Sequence, residues 1–223
     1  MKVLIFDSGA LINLSMNGLL DILEKLKTGF KGKFVITPSV KYEIIDRPLG
    51  IERFELGALR IQSLLDSGTL EMSSSLGISD SHIQKETKEI LNLGNHFLGI
   101  KGKWISLMSE AEASCLALSS ELSRRGIENI IAIDERTTRV LGENPGNLQQ
   151  LMSDKLHQKV EILGNISPFS RYKFIRSSEL VYVAFKKGLI PLKGPKVLEA
   201  LLFATKFKGA AISFEEINVL KRL

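Results

Sequence analysis

Apolar residues in the first 165 positions fall into two rhythms: short unbroken clumps, and longer stretches where they recur every three or four residues. The clumps at 2–6 (KVLIF), 34–37 and 130–133 predict short strands apolar on both faces, as a parallel sheet requires. Between the first two, Leu11, Leu14, Leu19, Ile22, Leu23 and Leu26 carry helical spacing, and Gly29 and Gly32 punctuate its end. Thr37, Pro38 and Ser39 open the next helix, with proline where its missing N–H costs nothing, and Arg47-Pro48 closes it. Further helices are expected at 51–65, 110–122 and 148–157, with a short one from Glu135, and further strands at 69–72 and 160–163. The more polar stretch 73–103, with one helix near 80–93, reads as an insertion or surface lid. From Ser177 the pattern is helical in three pieces, broken at 188–195 and at Lys208-Gly209. Strands alternating with helices predict an α/β domain over 1–165 with a parallel sheet, followed by a helical extension over 166–223.

Composition narrows the function classes. A chain of 223 residues can bury a substantial core, and no apolar run approaches the ~20 residues of a membrane span. The first residues lack the basic start and small-residue cleavage site of a secretory leader. The single cysteine, Cys115, allows neither an internal disulfide nor a zinc ribbon, so the expected location is the cytoplasm. Residues 1–153 hold 17 Lys+Arg against 19 Asp+Glu, whereas 154–223 hold 13 against 6. A basic second part suggests contact with a polyanion.

Candidate chemistry lies in the carboxylates. Asp7 follows the strand at 2–6 and Asp134 follows the strand at 130–133, so both belong to the carboxyl edge of the sheet, where ligands of such sheets bind. Each is also well placed to cap the helix behind it. Glu43, in ITPSVKYEII, falls among inward-facing positions of its helix, where charge is rarely left without a partner. Glu112 shares a face with Cys115, Leu116, Ser119 and Leu122, and Ser109-x-x-Glu112 also fits a capping box. Glu110 lies on a less apolar face. Four converging carboxylates repel unless cations join them, and Mg²⁺ or Mn²⁺ are the hard ions that suit oxygen ligands. His82, His96 and His157 are isolated, which disfavours zinc.

In these residues the chain resembles the PIN-domain nucleases, over roughly 1–165. The matching stretches are FDSGALI, TPSVKYEI, SEAEASCLAL and AIDERTTR. The resemblance implies a Rossmann-like parallel sheet of order 3-2-1-4-5 and a metal-binding set of Asp7, Glu43, Glu112 and Asp134, with Ser8 assisting. Glu110 competes for the third place. It further implies Mg²⁺- or Mn²⁺-dependent cleavage of single-stranded RNA and frequent dimerisation. A toxin paired with an antitoxin and an RNA-processing enzyme are both open. A non-catalytic RNA- or protein-binding module on the same fold is the main rival.

Two other readings fail on single residues. Position 9 is Gly where a haloacid-dehalogenase-type phosphatase needs a second Asp, and SGA is too poor in glycine for a dinucleotide turn. In the basic second part, Arg171, Lys173 and Arg176 are the expected RNA contacts, with Phe169, Tyr172 and Phe174 as exposed stacking platforms.

Overall fold

A computed structural model describes residues 1–165, 169 and 172–223. Its centre is a five-stranded, wholly parallel sheet. The strands are β1 (Lys2–Phe6), β2 (Gly32–Ile36), β3 (Glu71–Met72), β6 (Glu128–Ala132) and β8 (Phe174–Ile175), in the order β3-β2-β1-β6-β8. Val3–Phe6 are buried on both faces, as a sheet covered on both sides demands.

The helices α1 (Ser8–Met16), α2 (Asp21–Gly29), α3 (Pro38–Lys41), α4 (Glu52–Asp66), α5 (Asp80–Asn95) and α6 (Glu110–Arg124) connect the early strands. Then follow α7 (Arg136–Glu143), α8 (Leu148–Leu156), α9 (Ser177–Lys186), α10 (Val197–Phe207) and α11 (Phe214–Arg222). Parallel strands flanked by helices make the arrangement Rossmann-like. Helix α6 packs on β1 and β6, with α5 against it, while α1 and α2 both contact α9. Almost every residue of α6 from Ala111 to Ser120 is buried, so its serines need partners. Ser119 meets Asn129 at 2.5 Å and the Ser120 hydroxyl meets that of Tyr172 at 2.9 Å.

Three expectations are corrected. Glu161–Ile162 (β7) does form a strand, but it pairs antiparallel with β4 (Leu98–Ile100), which also pairs with β5 (Lys103–Trp104) in a small separate sheet. The fifth strand of the main sheet is instead β8, beyond residue 165. The stretch 73–103 is no detached lid, because Ile83, Phe97 and Leu98 are buried in the main core. Nor is the second part purely helical: besides β8, Phe169, Leu180, Val181, Ala184 and Leu201 belong to the same core as β1. Only α10 and α11 add a small cluster of their own, around Leu202, Ile212 and Ile217. Among the described residues, no helix is long and apolar enough to cross a membrane.

Gly32 opens β2 directly opposite Lys2, and a Cβ there would lie 2.2 Å from the Lys2 carbonyl oxygen. Gly32→Ala is therefore expected to force the central strand pair apart and cost about 1–3 kcal/mol. Urea unfolding measures it, and an unchanged midpoint would show that the strands yield freely.

Candidate functional site

Strand β1 delivers Asp7 to the carboxyl edge of the sheet, beside the end of β6. Phe6 is paired with Ala132, and the Asp7 N–H donates to the Ala132 carbonyl at 2.9 Å. Asp7 also caps α1: its backbone is extended, and Oδ2 accepts from the Gly9 N–H at 3.1 Å. Gly9 keeps this corner open, since a Cβ there would lie 3.4 Å from Asp7 Oδ2 and 3.9 Å from Asp134 Cβ. The other oxygen, Asp7 Oδ1, is buried and accepts no hydrogen bond. Burial, then the nearby Glu112 and Glu43 carboxylates, push the Asp7 carboxyl up to about 8, against the pull of the Gly9 and Ser8 N–H groups. Ser8 itself is buried as the first residue of α1.

Glu112 fulfils its expected capping role. Its Oε2 accepts from the Ser109 N–H at 2.8 Å while the Ser109 hydroxyl accepts from the Glu112 N–H, closing a capping box at the start of α6. The same Oε2 accepts from the Thr138 hydroxyl at 3.1 Å. Burial raises its pKa, and Glu135 and Glu43 push the same way. Glu43 is half-buried on a widened π turn, Tyr42–Asp46, that continues α3. The wider winding brings both Ile44 and Ile45 into the core and leaves Glu43 at its edge. Glu110 is exposed, with the Ser39 hydroxyl at 3.4 Å. Glu112 and Glu43 thus both raise the Asp7 pKa and Glu43 raises that of Glu112, while Glu110 turns to Ser39.

Asp134 is different. It does not cap the helix behind it: α7 is capped by Glu135, whose Oε2 accepts from the Thr138 N–H at 2.7 Å. The Asp134 carboxylate reaches instead to α9 and α1. Oδ1 accepts from the Ser177 N–H at 2.8 Å, and Oδ2 accepts from the Ser177 hydroxyl at 2.7 Å and from Asn13 Nδ2 at 2.9 Å. Burial pushes its pKa up, opposed by these donors and by Arg139. Asn13 and Ser177 escaped sequence reasoning. The only signal for Asn13 was a polar residue in an apolar helical stripe, and Ser177 read as an ordinary helix start.

Among the described residues, no three Asp, Glu, His or Cys side chains are gathered so as to hold a metal ion. Cys115 is fully buried, its thiol directed to the Phe6 carbonyl, and burial raises its pKa well above the usual thiol value. It is a core residue.

The expected RNA contacts fare unevenly. Arg171 lies outside the described residues. Lys173 is exposed. Arg176 is corrected: its side chain is only 7% exposed and is held by Glu179 at 2.7 Å and Glu216 at 2.8 Å. A guanidinium so engaged is not a free phosphate contact. Phe169 and Tyr172 are buried and Phe174 is half-buried, so they pack the core where stacking platforms were expected. Comparisons of the chain with family models, with characterised proteins and with solved structures gave no match.

Two outcomes follow from the contrast between the two aspartates. Ser177→Ala removes the hydroxyl partner of the Asp134 carboxylate and is expected to cost about 1.5–3 kcal/mol in chemical unfolding. Asp7 holds its proton to about pH 8 when folded but only to 3.8 ordinarily, so its contribution to stability is full below that value and is lost as pH rises to about 8. Asp7→Asn keeps the cap and never ionises. In metal-free buffer it should exceed the wild type in stability at about pH 9, by on the order of a few kcal/mol, with the gap closing near pH 4. Parallel stability–pH profiles for the two proteins would show that the buried carboxylate is ionised at no cost.

Proposed function

We propose that this protein is a metal-dependent endoribonuclease of the PIN type, cleaving single-stranded RNA at the carboxyl edge of its sheet. The observation that carries the reading is Asp7 Oδ1, a buried carboxylate oxygen with no hydrogen-bond donor, next to Glu112 and Glu43. Nothing in the fold requires such an oxygen, and a hard cation satisfies it. Counting only the strands of the main sheet, the order is third-second-first-fourth-fifth, which supports the resemblance in the sequence.

Asp7, Glu43 and Glu112 would hold Mg²⁺ or Mn²⁺. Mg²⁺ keeps several of its waters and is commonly held by one or two carboxylates. When bound, such an ion lowers the pKa of a water and offsets charge on the phosphate. The chain's own part is positional. Thr138 and the Ser109 N–H fix the Glu112 carboxylate, the Gly9 N–H fixes that of Asp7, and the high pKa of Asp7 makes cation binding release a proton. Asp134 supports the edge through Asn13 and Ser177 rather than offering free oxygens. A cytoplasmic location, dimerisation and an antitoxin partner belong to the same reading.

One observation favours the non-catalytic module: Asp134, the fourth of the expected ligands, is taken up by structural hydrogen bonds. A cleavage assay on unstructured RNA with Mg²⁺ or Mn²⁺ decides between them. The nuclease reading expects activity that EDTA removes and that Asp7→Asn lowers by about 100-fold or more. It also expects a larger loss in Glu112→Gln than in Glu110→Gln. RNA binding without cleavage under every metal would establish the module instead.

A further inference from the structure

A cavity of about 700 Å³ lies where the outer face of α7, the end of α10 and the start of α11 meet. Four cationic side chains line it, Arg136, Arg139, Arg176 and Lys206, against two carboxylates, Glu215 and Glu216. Its floor is fastened to the sheet. The Ala211 N–H donates to the Asp134 main-chain carbonyl at 3.1 Å, and the Ala211 carbonyl accepts from Arg176 Nη1 at 3.1 Å and Arg139 Nη1 at 3.5 Å.

Three features are unexplained by folding alone. The Nε–H groups of Arg139 and Arg176 are buried without an acceptor. Arg136 is exposed and forms no ion pair with a described residue. Phe207 and Phe214, also in the lining, are 73% and 53% exposed. Both rings are nonetheless supported. Phe203 stacks on Phe207 with centroids 6.1 Å apart and lies 5.9 Å from Phe214, while Lys206 Nζ sits 4.4 Å over the Phe214 ring. Flat apolar faces held in water beside the unpaired Arg136 match a ligand that is itself half aromatic and half anionic.

We infer that this cleft binds a nucleotide unit, with its phosphate against Arg136 and Arg139 and its base against Phe207 and Phe214. The volume lies in the range of small-ligand sites. The unit is either a free mononucleotide or one link of a single strand. This inference does not require cleavage at the acidic edge: α7 presents Thr138 to Glu112 and Arg136 and Arg139 to the cleft.

Fluorescence anisotropy in EDTA tests binding apart from catalysis, using a labelled oligouridylate of about twelve nucleotides, with adenosine 5′-monophosphate as competitor. Phe207→Ala is expected to weaken oligonucleotide binding about tenfold without changing its salt dependence. Arg136→Ala should weaken it and reduce the log–log salt slope by about 0.7, while Lys31→Ala, the same charge change at the exposed start of β2, leaves it unchanged. Competition by the mononucleotide assigns the free nucleotide as a ligand; its failure assigns the strand. Wild-type affinity in both cleft variants, or equal losses in all three, overturns the inference, and neither result bears on whether Asp7→Asn abolishes cleavage.

Discussion

Asp134 is buried at the end of a central strand, and a buried carboxylate must be given donors or it destabilises the fold. None is available nearby in sequence, so the chain brings them from afar. Ser177 supplies two from the start of α9 and Asn13 one from α1. Asn13 uses its second amide hydrogen on the Thr205 carbonyl at the end of α10, and the Asp134 main chain accepts from Ala211. One residue thereby holds the ends of α9 and α10 and the loop before α11 against the sheet. These hydrogen bonds join the apolar contacts of Phe169, Leu180, Val181 and Leu201 in tying the last third of the chain to the sheet.

Asp7 occupies the equivalent place on the neighbouring strand and is treated in the opposite way. It receives one N–H at Oδ2 and nothing at Oδ1, with two further carboxylates nearby. The two residues share a type, a sheet edge and a strand-end position, yet one is saturated and one is left short. Folding explains the first. The second raises the energy of the isolated chain, and such a deficit at a sheet edge is what a binding function would exploit.

What could be read from the sequence divides along the range of the interactions. The clumps at β1, β2 and β6 are local hydrophobic signals, and so were the three C-terminal helices with their breaks. Glu112 was legible because both of its roles are written within α6, as a capping box and as an apolar stripe. Strand β8 was not, since two residues carry no periodicity and their place is decided by pairing with Ile131 and Ala132 more than forty positions away. Arg176 misled for the same reason: one of the carboxylates that neutralise it, Glu216, lies forty residues downstream. Phe169 and Tyr172 looked exposed because their surroundings are basic and irregular, whereas the buried hydroxyl of Ser120 on α6 is what draws Tyr172 inward.

Helix α7 resolves a conflict between the two charged regions. A cluster of carboxylates repels a polyanion, so an acidic edge alone would slow the approach of any phosphate chain. One side of the first turn of α7 supplies Thr138 to Glu112, and the other presents Arg136 and Arg139 toward solvent and the cleft. The Arg139 side chain, at 15% exposure, is close enough to lower the pKa of Asp134 while lining the basic cavity. For the proposed RNA ligand, attraction from the cleft side would offset repulsion from the edge. Arg176 and Lys206 of the second part join Arg136 and Arg139 of the first at this cleft, so its basic lining is assembled from both parts of the chain.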